Sequence, residues 1–214
     1  MAHLLIHRGL AKKNFKENTI SAFKYCFKKN YGIETDIHCT KDNKIVCFHD
    51  FNLNGKFKIN KSIKKTNYQE LFKISKINKK PIPQLKDLIK LSNKKRFLMI
   101  EIKPLFSNEN LKVLLTEIKG LKNYCLTSFK EKNIINLKKI KKNLNLGLLI
   151  PSTFTFKNVL KKSKKKHLKL LVLEKKFLYE KKLNKLKKKV YFYTIKDKKN
   201  FNKFKNKNLI FENL

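Results

Sequence analysis

The sequence holds no tryptophan, two methionines, five glycines and four prolines in 214 residues, and only two of its 54 basic residues are arginine, Arg8 and Arg96. Each scarcity removes a class of protein. With so little glycine, no glycine-rich phosphate turn follows the first apolar run, which argues against a dinucleotide-binding open sheet. No apolar run approaches the roughly 20 residues a membrane span requires. The four cysteines, Cys26, Cys39, Cys47 and Cys125, form no CxxC pair, and the chain is no short disulfide scaffold. Cys39 and Cys47 could pair across a turn, but buried free thiols are expected. The N-terminus shows no basic leader followed by an apolar segment. A reducing, cytoplasmic setting is therefore expected. Acidic residues are also few, 15 against 54 basic ones, for a formal net charge of +39. Such charge suggests nucleic acid. However, the lysines are spread over the whole chain, and arginine, whose planar fork suits phosphates and base edges, is nearly missing. A solvated basic surface is expected, with no specific nucleic-acid partner and weak, non-specific attraction to anionic membranes.

What is present begins with a 41% hydrophobic fraction, enough for a sizeable core in one domain or two small ones. The stretch Gly32 to Asp50 organises the reading. Glu34 and Asp36 stand two apart on an apparent strand and so share a face. Two carboxylates on one face repel unless positive charge lies between them. A turn at Lys41-Asp42-Asn43 and a short run to Phe48 then deliver His49 and Asp50. A carboxylate pair with a histidine at a strand end resembles half of a metal-assisted phosphate site. The other half is expected where Leu4-Leu5-Ile6 runs into His7-Arg8-Gly9.

Along the chain, strands are expected at Leu4 to His7, Ile33 to His38, Phe97 to Ile102, Tyr124 to Leu126, Leu146 to Ile150, Leu168 to Leu173, Val190 to Ile195 and Leu209 to Phe211. An extra short strand is expected at Ile45 to Phe48. Helical spacing marks Ile20 to Phe27, with Asn18 or Thr19 as N-cap. Further helices are expected at Leu85 to Leu91, Leu111 to Ile118, Ile134 to Ile140, Phe156 to Leu160, Leu178 to Leu186 and Phe201 to Phe204. Residues 51–80 read as a small insertion with a helical turn or two at Asn67 to Lys73. Eight strands alternating with helices imply parallel βα units. The expected fold is a short TIM (β/α)8 barrel, a single domain over 1–214, with a doubly wound open sheet as the alternative. In a barrel, chemistry sits at the C-terminal strand ends. His7 and Arg8, Glu34 and Asp36, His49, and Glu101 and Lys103 all fall there.

Taken together, His7-Arg8-Gly9, Glu17-Asn18-Thr19 with Ala22-Phe23, Glu34-Thr35-Asp36, Thr40-Lys41-Asp42 and His49-Asp50 resemble the glycerophosphodiester phosphodiesterase family. Ile82-Pro83-Gln84-Leu85, Glu101-Ile102-Lys103 and Ser128-Phe129 continue the resemblance. It implies a TIM barrel that hydrolyses glycerophosphodiesters to glycerol 3-phosphate and an alcohol. By it, Glu34, Asp36 and Glu101 are metal ligands, His7 and His49 the general base and acid, and Arg8 and Lys103 the phosphate holders. It also suggests attack by a substrate hydroxyl to give a cyclic phosphate. Three carboxylates are hard ligands suited to Mg²⁺ or Ca²⁺, and two imidazoles titrating near neutrality can divide proton transfer between them.

The chain departs from the family in several places. Tyr193-Thr194-Ile195-Lys196 stands for Trp-Thr-Val-Asn, Glu212-Asn213 for Thr-Asp, and Phe51 to Lys56 for a segment rich in Arg, Thr and Gly. No helix is expected after the last strand. Competing readings are a phospholipase D-like lipid enzyme on the same fold, and a basic nucleic-acid-binding protein on an inactive barrel. An internal Glu101–Lys103 ion pair is an alternative to their site roles. Ser128 is expected to line the mouth, His38 to stand beside the site, His3 and His167 to lie at the surface, and the Lys161 to Lys166 cluster to form a solvated face.

Overall fold

The structure is a computed structural model and describes residues 2–93 and 95–214. Eight parallel strands close into a TIM barrel. They are β1 (Leu4–His7), β2 (Gly32–Cys39), β4 (Leu98–Ile102), β5 (Tyr124–Ser128), β6 (Leu146–Ile150), β7 (Leu170–Glu174), β8 (Lys189–Ile195) and β9 (Asn208–Phe211). Closure comes from β1, which pairs with β2 on one side and with β9 on the other. The ninth strand, β3 (Ile45–Cys47), lies antiparallel to β2 as a hairpin arm outside the barrel.

The helices follow in sequence: α1 (Ile20–Lys28), α2 (Asn54–Phe57), α3 (Tyr68–Ile77), α4 (Leu85–Leu91), α5 (Asn108–Glu117), α6 (Glu131–Ile140), α7 (Phe156–Ser163) and α8 (Lys198–Phe204). Local chemistry sets their starts. Thr19, with extended backbone, caps α1 by accepting the Ala22 N–H, and Asp197 accepts the Asn200 N–H at the start of α8, each satisfying a donor that helix geometry leaves open. The helix expected over Leu178 to Leu186 does not form. Two short 3₁₀ turns, Lys175–Tyr179 and Leu183–Lys185, stand there. Residues 212–214 follow β9 without a helix.

Strand alternation sorts the core into two layers. Ile33, Ile37, Ile100, Ile102 and Leu126 face outward against the helices, in the larger cluster. Leu5, Met99, Cys125, Leu149, Leu170, Val172, Tyr191 and Ile210 fill the barrel interior. Truncating one such side chain to alanine costs about 2–5 kcal/mol. Residues between 46 and 82 pack a third, smaller cluster around Phe48, Leu53, Phe57 and Leu71. Gly32 is required by the close approach of β1 and β4: a Cβ there would stand 2.9 Å from the Phe97 carbonyl oxygen.

All four cysteines are buried free thiols, so no Cys39–Cys47 bridge forms. No helix among the described residues is long and apolar enough to cross a membrane. His3 is partly exposed, and its Nδ1 lies 2.8 Å from the Tyr191 hydroxyl at the N-terminal end of the barrel. His167 is likewise half-buried. Within the lysine cluster, Lys162 and Lys165 both pair with Glu131.

Candidate active site

Register builds the site. His7 of β1 stands beside Glu34 of β2, and Asp36 of β2 stands beside Glu101 of β4. All four fall on the inward-facing phase of their strands, Glu34 and Asp36 at i and i+2 of β2. Four side chains therefore meet at the C-terminal mouth of the barrel, as a barrel places its chemistry.

Glu34, Asp36 and Glu101 bring one carboxylate oxygen each within 4.8 Å of one another. They are 3%, 1% and 5% exposed, so water contributes little to holding three negative charges together. Burial raises the Glu34 pKa well above the carboxylate range, and the Asp36 and Glu101 charges add to the rise. Burial, then Asp36, raises Glu101 to about 7. Asp36 goes the other way. Burial alone would raise it, but Arg8 and Lys103 hold it below its ordinary value. Arg8 Nε lies 3.0 Å from Asp36 Oδ2, although its N–H is not aimed for a hydrogen bond. Lys103 Nζ lies 2.8 Å from Glu101 and 3.5 Å from Asp36. The expected internal Glu101–Lys103 pair thus forms, inside the cluster rather than in place of it.

The trio suits a hard divalent cation. All its donors are carboxylate oxygens, and Glu34 Oε2 is buried with no hydrogen-bond partner. A buried carboxylate oxygen left without a partner is costly, and a cation among the three would relieve both that cost and their mutual repulsion.

Each histidine is backed by a carboxylate. His7 Nδ1 contacts Glu212 Oε2, and His7 Nε2 lies 3.9 Å from Glu34 Oε2. Burial and Arg8 lower the His7 pKa, with the Glu212 contact opposing them. Burial would raise Glu212, but His7 and Lys196, the latter 2.8 Å away, bring it down to about 2. An ionised Glu212 can only accept, so the ring hydrogen sits on Nδ1 and the Nε2 lone pair points into the site. His49 Nδ1 lies 2.7 Å from Asp50 Oδ1; burial is the main cause that lowers its pKa, opposed by the Asp36 charge. His38 lies beside the site, as expected. Burial holds it down to about 4, and its Nε2 contacts the His49 carbonyl oxygen at 3.2 Å, fixing that loop.

The loop after β1 completes the frame. Arg8 and Asn18 take left-handed backbone (φ 50° and 54°), where asparagine is tolerated and arginine is uncommon. Asn18 accepts from the Thr35 hydroxyl at 2.8 Å and donates to Asp36 at 3.3 Å. Glu17 pairs with Arg8 at 3.1 Å and also contacts Lys56. Ser128 is buried and donates to the Ile102 carbonyl oxygen at 2.7 Å, a bracing role. Phe129 and Tyr193 form an aromatic wall, edge to face at 5.9 Å.

All seven side chains singled out from sequence reach this mouth. Glu212, Asn18 and Glu17 were missed as site residues. The signal for Glu212 was an acid placed just beyond the last strand of a chain with few acids. For the other two it was an Arg8 whose charge needs an answer in a lysine-rich setting.

A model of the Glycerophosphoryl diester phosphodiesterase family matches residues 7–209. A glycerophosphodiester phosphodiesterase of Caldanaerobacter subterraneus is 31% identical over 164 residues, 68% of this chain and 65% of that protein. One of Bacillus altitudinis is 30% identical over 110 residues, 48% and 44% of the two chains. The matched region thus spans less than two thirds of these curated relatives. Among solved structures, a glycerophosphodiester phosphodiesterase of Thermotoga maritima superposes with a TM-score of 0.84 at 23% identity, over 100% of this chain and 95% of that one. A phosphodiesterase of Oleispira antarctica, solved with sn-glycerol-3-phosphate as product, gives 0.82 at 20% identity over 99% and 92%.

Proposed function

Because the chain belongs to the glycerophosphoryl diester phosphodiesterase family, we propose that it hydrolyses glycerophosphodiesters to glycerol 3-phosphate and an alcohol. The observation that carries the reading is the convergence of Glu34, Asp36 and Glu101 within 4.8 Å, beside the unpartnered Glu34 Oε2. The sn-glycerol-3-phosphate bound as product in the Oleispira protein supports the substrate class.

In this reading Glu34, Asp36 and Glu101 hold one Mg²⁺ or Ca²⁺. When bound, the cation supplies positive charge to the phosphoryl oxygens. Arg8 and Lys103 hold the phosphate, and both already flank Asp36. His7 is the base: Glu212 keeps the hydrogen on Nδ1, so Nε2 takes the proton of the attacking oxygen, either that of water or that of a substrate hydroxyl whose cyclic phosphate a water then opens to glycerol 3-phosphate. His49 is the acid: in its protonated form, which the phosphate anion favours, it returns a proton to the departing alkoxide as the phosphorus–oxygen bond breaks. One barrel carries the chemistry, and residues 51–80 serve it as a small insertion. A cytoplasmic setting accords with four buried free thiols, and the net charge of +39 supports weak association with anionic membranes. The test is release of glycerol 3-phosphate from glycerophosphodiesters with Mg²⁺, with Ca²⁺ and with chelator. Metal-dependent release supports the reading, and equal rates with chelator remove its metal step.

A further inference from the structure

Between the loop after β1 and residues 56–82 lies a cavity of about 290 Å³, joined to the candidate site through Asn18, which donates to Asp36. It shares Glu17 and Asn18 with the site's own wall. Its floor is aromatic. Phe48 and Phe57 stack at 6.1 Å, and the Lys56 ammonium lies 5.0 Å from the Phe48 ring centroid. Lys16, Lys56 and Lys80 line it, and Glu17 is the sole acid among the lining residues. That acid is spent: one carboxylate oxygen meets Arg8 and the other Lys56. Asp50 does not line the cavity, and its Oδ1 meets His49 Nδ1. Three lysines therefore line the cavity against one carboxylate that is already paired. Such a surplus attracts an anion and repels a cation, and Lys56 and Lys80 are only partly exposed, which lessens screening there. A quaternary ammonium group would find aromatic faces but no free carboxylate, with lysines already beside the rings.

We propose that this cavity receives the alcohol arm of the diester and selects arms bearing a negative charge, such as a further phosphate, over cationic ones. The inference rests on the phosphodiesterase reading and adds to it the charge class of the substrate's second half. Lys56 and Lys80 are its specificity residues. They contact the arm and not the phosphorus, so their effect falls on the ratio between substrates and appears mainly in KM.

The experiment compares kcat/KM for three diesters that share the glycerol 3-phosphoryl half and carry choline, glycerol or glycerol phosphate as alcohol, at physiological ionic strength. The wild-type enzyme should favour the glycerol phosphate diester over the choline diester by about tenfold or more, the scale of one charge-assisted hydrogen bond. Lys56→Met and Lys80→Met should each move that ratio toward one. Lys122→Met, an exposed charge in the loop before β5, should not, which separates the cavity from the general field of the protein. If Lys56→Met fails to fold after losing its Glu17 contact, Lys80→Met at an unchanged Tm decides. Equal or better use of the choline diester overturns the proposal, as does a ratio that neither cavity variant shifts or that Lys122→Met shifts equally. Absence of hydrolysis on all three diesters overturns the phosphodiesterase reading beneath it.

Discussion

Glu212 faces His7 across 205 residues of sequence, its Oε2 against the His7 Nδ1. The contact joins the end of β9 to the end of β1 and fixes which imidazole nitrogen is free. Removing the anion without the shape should therefore cost activity and little stability. Glu212→Gln is expected to lower kcat by about 10–100-fold, the scale of losing an outer-shell orienting partner, with Tm nearly unchanged. Glu212→Asp should recover part of the loss. Steady-state kinetics with thermal melts check this, and wild-type kcat in Glu212→Gln would show that His7 needs no such orientation.

His7→Ala and His49→Ala should each lose about 10²–10⁴-fold in rate if each moves a proton in the reaction. A substrate with a more acidic alcohol needs less protonation on departure. His49→Ala should recover on such a substrate, and His7→Ala should not. Recovery of both alike would mean that the two histidines do not divide the work as base and acid.

Glu34→Gln separates stability from function. The Glu34 carboxyl is pushed well above its ordinary range by burial and by its two acidic neighbours. An acid whose folded pKa is raised destabilises the fold once pH exceeds its unfolded value. Without metal at neutral pH, the glutamine variant should therefore melt higher than the wild type. With metal the order should reverse, because only the wild type gains binding energy. Activity should drop by about 10²-fold or more, the scale of removing a preorganised electrostatic contact. Melting curves with and without Mg²⁺ read both effects.

Glu117 gives a pH dependence remote from the site. It ends α5, where the helix dipole disfavours an acid. Burial raises its pKa to about 7 from 4.5 despite the Ile45 N–H that it accepts. Between those values the folded state keeps a proton that the unfolded state releases, so this group makes stability fall as pH rises from 4.5 to 7, with no further change above. Glu117→Gln should match the wild type near pH 4.5 and exceed it at pH 8 by about 1 kcal/mol, allowing for screening at its partly exposed end. Urea unfolding at the two pH values tests the sign. A deficit for the variant at pH 8 would contradict it.

Much of this molecule was legible in its sequence because period-two alternation and short apolar runs bounded by polar loops report strands directly. Glu34 and Asp36 could be placed on one face from spacing alone, and Glu101 with Lys103 from the strand end and Pro104. The segment after β7 misled. Leu178, Leu183 and Leu186 are spaced as on a helix, yet Lys175–Tyr179 and Leu183–Lys185 are separate 3₁₀ turns. Leucine spacing reported burial there, not the hydrogen-bond pattern beneath it. His3 was read as a surface residue and is partly exposed, but nothing local in the sequence marks its contact with Tyr191 at the barrel base. Glu212 was visible as an odd acid, but its partner lies at the far end of the chain and only barrel closure brings them together.

In the proposed site, residues 34, 36 and 101 jointly hold one divalent cation. Calorimetric titration of Mg²⁺ and Ca²⁺ into metal-free protein tests it most directly. One site per chain in the wild type, lost in Asp36→Asn and in Glu101→Gln although both variants stay folded, is the predicted result. An undiminished site in either variant, or no saturable binding in the wild type, would contradict it.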